Sequence, residues 1–76
     1  MITEKTVRAV ANAGDMLLID GNTAWLQPAG GGSGDEIKMS FRCAQLLVAL
    51  GTVERLSGEP EDSHQVFRFV RKPGGN

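Results

Sequence analysis

The segment Met16–Gln27, MLLIDGNTAWLQ, constrains this chain more than any other. Two mostly apolar runs, Met16–Asp20 and Thr23–Gln27, flank the turn chemistry of Asp20-Gly21-Asn22, and that pattern predicts a β-hairpin. A tight turn also decides which residues oppose each other. With Gly21 and Asn22 as the turn residues, Ile19 faces Ala24 and Leu17 faces Leu26, an apolar face expected in the core. The other face then carries Leu18 opposite Trp25, flanked by Met16 and Gln27. With Asp20-Gly21 as the turn, the pairing slips by one residue and different side chains meet.

The rest of the chain has little material with which to cover that hairpin. It has 76 residues, 41% of them apolar, which is enough for one domain and leaves a small core. Upstream, Thr3 suits a helix N-cap, Glu4 complements the helix dipole, and Ile2 with Val7 forms a hydrophobic staple. Val7, Val10 and Ala11 are expected on the buried face of this short helix, which Gly14 stops. Downstream, the Gly-rich stretch 28–35 reads as a flexible internal loop. The apolar segment that follows has two readings. Ser33 and Glu36 match a capping box for one long helix beginning near Gly34. Alternatively, Glu36–Met39 is a strand and Ser40 caps a helix over Phe41–Leu50, the reading preferred here. That helix would turn Cys43, Leu46, Leu47 and Leu50 inward and end at Gly51. Thr52–Leu56 and His64–Arg71 form a second predicted hairpin across the polar loop Ser57–Ser63. Its second strand carries Val66 and Val70 on one face and Phe67 and Phe69 on the other, so it is expected to be central or covered on both sides. The tail 72–76 is expected to fray.

Several kinds of chemistry are poorly supported. The chain has one His, one Cys and no Tyr, so His64 and Cys43 form a nucleophile and base only if the fold joins them. One Cys and one His do not fill a zinc site, and the acidic loop Glu59-Pro60-Glu61-Asp62 lacks calcium-loop spacing. Gly30-Gly31-Gly32-Ser33-Gly34 lacks the lysine and spacing of a phosphate-binding loop. No enzyme activity, metal or cofactor is therefore expected. Eight basic residues against nine acidic ones disfavour a general polyanion binder. The sequence has no signal-like start and no apolar run long enough to span a membrane. With its lone cysteine, it fits a cytoplasmic, reducing setting.

Two surfaces remain as binding candidates. Met16, Leu18 and Trp25 would form an apolar patch on the hairpin, either covered by the terminal helix or used as a protein interface. Arg55, Arg68, Arg71 and Lys72 on the second hairpin, with Arg42 and Gln45 on the adjacent helix, would form a basic patch if gathered on one edge. The ordinary alternative for the latter is a solvated face.

Residues Ser40–Arg71, through AQLLVALGTVERL and HQVFRFV, resemble the recognition-helix-plus-wing half of winged-helix domains. The resemblance implies a helix for the major groove and a wing for phosphate. It departs from the family in two ways: a hairpin and a glycine-rich stretch precede the helix, and the wing carries Glu59, Glu61 and Asp62. The expected fold class is thus a small α+β domain over residues 1–76, ordered helix-hairpin-helix-hairpin, with a winged-helix-like C-terminal half. The expected function is that of a non-enzymatic small protein acting by protein–protein interaction, as an accessory or inhibitory factor, with homodimerisation as one route. A winged-helix-like DNA-binding regulator is the alternative, disfavoured by the acidic wing.

Overall fold

The computed structural model describes residues 4–30 and 36–72. The elements run α1 (Glu4–Val10), β1 (Met16–Asp20), β2 (Thr23–Gln27), β3 (Ile37–Ser40), α2 (Phe41–Ala49), β4 (Val53–Ser57) and β5 (His64–Phe69). All five strands belong to one antiparallel sheet in the order β3-β2-β1-β5-β4.

This corrects the expected fold class. The chain is not a helix-hairpin-helix-hairpin series with a winged-helix-like C-terminal half. It is mostly a five-stranded antiparallel sheet carrying two short helices. The reason is long-range pairing. β1 bonds along its second edge to β5, opposing Leu17 to Phe67 and Leu18 to Val66, so the two hairpins become one sheet. β3 then extends the sheet beyond β2, with Met39 opposite Ala24 and Lys38 opposite Trp25. Each hairpin leaves apolar residues at a strand edge, and joining them satisfies backbone groups while merging two small clusters into one core.

The first hairpin has the Gly21-Asn22 turn: Leu18 opposes Trp25, and Leu17 opposes Leu26. Gly21 has φ +62°, the positive value that the first central position of a type II′ turn demands. Ser40 ends β3 and caps α2, its Oγ accepting from the Cys43 amide at 3.1 Å. A single helix from Gly34 is thereby overturned.

The core lies between one sheet face and the two helices. Leu17, Leu26, Met39 and Phe69 from the sheet meet Val7 of α1 and Leu47 of α2, all fully buried. Each such side chain contributes roughly 1.5–3 kcal/mol. Two helix faces differ from expectation. In α2 the inward residues are Cys43, Ala44 and Leu47, while Leu46 and Leu50 are exposed. Apolar residues surround this helix on most sides, so the pattern defines no single stripe, and small Ala44 takes the inner position. In α1, Val7 and the following Ala11 are buried and Val10 is exposed. Positions four apart stack on one face, and a helix of seven residues offers only one such pair to the sheet. The expected Thr3 cap, the expected fraying of the tail past Lys72, and residues 31–35 of the Gly-rich stretch lie outside the described residues.

Asp15 fastens this arrangement. It is buried, and its carboxylate accepts from the Asn12 amide at 2.9 Å and from the Ala29 amide at 3.0 Å. Its backbone carbonyl accepts from the Phe69 amide at 2.8 Å. One residue thereby ties the exit of α1, the exit of β2 and the end of β5.

Candidate functional site

Side chains alternate across a strand, so a sheet whose inner face meets both described helices has an outer face that meets neither of them. β1 supplies Met16 and Leu18 to this outer face, β2 supplies Trp25 and Gln27, and β5 supplies Val66 and Arg68. The register aligns Trp25, Leu18 and Val66 side by side across three adjacent strands, in the order β2, β1, β5. All three are half-buried. Met16 sits beside them at the next level, between Gln27 and Arg68.

Charges bound this apolar row. On the β3 side Lys38 opposes Trp25, and Lys38, Glu36, Leu18 and Trp25 enclose a shallow concavity of about 420 Å³. On the β4 side Arg68 pairs with Glu54 across the strands. At one end His64 Nε2 lies 3.2 Å from Asp20 Oδ1, both side chains well exposed. The result is an apolar centre with a mixed-charge rim, a common layout for protein interfaces.

The expected basic patch is divided. Arg68 lies on the outer face and is paired with Glu54. Arg55 opposes Phe67 and so lies on the helix-bearing face, where its Nη1 donates to Gln65 Oε1 at 2.8 Å and to the Gly58 carbonyl at 3.1 Å. Lys72 Nζ donates to the Ala11 carbonyl at 3.0 Å, closing the chain against the end of α1. Arg42 and Gln45 are exposed on α2, and Arg71 is exposed just after β5. The sheet therefore separates Arg55 from Arg68.

Nor does the fold join the nucleophile to the base. Cys43 is buried beneath α2 on the inner side, whereas His64 is exposed on the outer side beside Asp20. Among the described residues, no group of three or more His, Cys, Asp or Glu side chains is placed to hold a metal ion. No helix among them is long and apolar enough to cross a membrane.

Reasoning from the sequence found Met16, Leu18 and Trp25 but missed Val66 as their neighbour, because only the β1–β5 register brings it there. It also missed the Arg55–Gln65–Phe67 cluster. Arg55 Cζ stands 4.7 Å from the Phe67 ring centroid, and buried Gln65 donates through Nε2 to the Asp62 carbonyl at 2.9 Å. The polar residues of the 58–65 segment were its signal, but they read equally well as a solvated turn. Comparison with known proteins finds no matching family model, no matching curated relative and no matching solved structure.

Proposed function

We propose that this chain is a non-enzymatic cytoplasmic protein that acts by protein–protein contact through the helix-free face of its sheet, with a second copy of itself as the occupant. The observation that carries this reading is the adjacency of Trp25, Leu18 and Val66 on a face that no helix among the described residues covers. Aromatic residues at the centre of such a patch, ringed by polar groups, dominate binding energies. In a two-fold contact the same patch meets itself, so an apolar row flanked by charges of both signs is self-complementary. The net charge of −1 sets up no long-range repulsion between copies. The separation of Cys43 from His64 supports a role without catalysis.

The size of the face sets the strength. Five strands about 4.8 Å apart and about 17 Å long present a surface of only modest extent. Such contacts fall in the weak class, below about 1,200 Å² in total, and the dimer is concentration-dependent. Sedimentation velocity across a wide concentration range tests it. The native chain should move from monomer towards dimer, and Trp25→Glu, which sets two carboxylates at the centre of the contact, should stay monomeric with unchanged circular dichroism. A native chain that sediments as a monomer throughout, with Trp25 fluorescence equally open to acrylamide at every concentration, would overturn the reading.

A further inference from the structure

On the helix-bearing side, α2 is too short to cover the β4–β5 end of the sheet. A cavity of about 280 Å³ remains there. Phe41, Val48 and Ala49 of α2 form one wall, and Ile19 and Phe67 of the sheet form the opposite one. Among the described residues, Arg55 is the one ionisable side chain in the lining. Its guanidinium is held rather than free: Nη1 bonds to Gln65 Oε1 and to the Gly58 carbonyl, and Cζ sits over the Phe67 ring. Gln65 is itself held, because its amide nitrogen donates to the Asp62 carbonyl at 2.9 Å. These bonds occupy one nitrogen. Among the described residues, no acceptor meets Arg55 Nε or Nη2.

We propose that this cavity binds a carboxylate carried on a compact apolar or aromatic body. Arg55 Nε and Nη2 form the side of the guanidinium that takes two carboxylate oxygens in parallel bonds, while the body lies between Phe41 and Phe67. The positive charge selects acids over amines. The volume, near the lower limit of about 300 Å³ for small-molecule sites, admits one ring and a short chain. The carboxylates of Glu59, Glu61 and Asp62 are exposed and outside the lining, so solvent screens them from the guest. A free small acid and the C-terminal residue of a peptide share this chemistry. The site lies across the sheet from the proposed dimer face and does not depend on it.

An amide NMR titration of the full chain with phenylacetate, phenethylamine and a peptide ending in Phe, with its carboxylate free or amidated, tests the proposal. Phenylacetate should shift the signals of Gln65, Phe67 and Val48 saturably at millimolar concentration and leave those of Leu18 and Trp25 unmoved. Phenethylamine should not bind. Arg55→Met should weaken phenylacetate by about tenfold or more, the loss expected for a hydrogen bond to a charged group. Ala49→Leu, which fills the cavity from an exposed helix position, should abolish binding while the spectrum stays dispersed. If the free-carboxylate peptide displaces phenylacetate and the amidated one does not, the natural guest is a chain terminus; if neither does, it is a free acid. The absence of saturable shifts with both acids, equal binding of phenethylamine, or unchanged affinity in Arg55→Met would overturn the site.

Discussion

Gly58 shows how far one position can be dictated by its neighbours. It has φ +85°, and a Cβ there would stand 2.3 Å from the His64 carbonyl oxygen. A side chain meets both a disfavoured backbone conformation and a backbone atom that cannot step aside. Gly58→Ala should therefore cost about 1–3 kcal/mol in urea unfolding, the range for strained backbone positions. An unchanged midpoint would mean that the β4–β5 loop rearranges freely. Because the Gly58 carbonyl also holds Arg55, the same variant should weaken carboxylate binding. Little of this was legible beforehand: SGEP reads as a turn, but the clash depends on His64 lying across the hairpin, which only the folded register supplies.

At the level of elements, legibility followed the range of the interactions. The first hairpin could be read because its turn chemistry is local, which narrowed its register to two choices, and the structure takes the Gly21-Asn22 one. The start of α2 could be read because Ser40 caps it by accepting from the Cys43 amide, three residues away. The β1–β5 pairing joins residues some fifty apart in sequence, such as Leu18 and Val66, and no local pattern specifies it. Met16, Leu18 and Trp25 were accessible to sequence reasoning for the first reason, and Val66 was hidden by the second. Asp15 was equally hidden, because its role lies in joining elements rather than forming one. Asp15→Ala leaves the Asn12 and Ala29 amides without their acceptor, so chemical denaturation should show a loss of roughly 2–4 kcal/mol. A loss under about 0.5 kcal/mol, the usual size for a surface change, would show that water replaces the carboxylate without cost.

The whole molecule has the compactness of an ordinary domain of its length. The radius of gyration is 11.0 Å, against about 11 Å for an ordinary domain of this length. The accessible surface is 4504 Å², against about 4,500 Å² for a monomer of this mass. A single copy thus has the compactness and surface of an ordinary monomer, and association would add to its stability. Calorimetry should show a midpoint that rises with protein concentration, by about 4–8 °C for each kcal/mol of association, and a concentration-independent midpoint for Trp25→Glu. A native midpoint that ignores concentration would count against the dimer. The borders of the sheet bear on where association stops. β3 is only four residues long and carries Lys38, and β4 breaks its ladder with a bulge between Arg55 and Ser57. Neither described border offers a long flat template to another strand, so copies that meet face to face are disfavoured from adding side by side into fibrils.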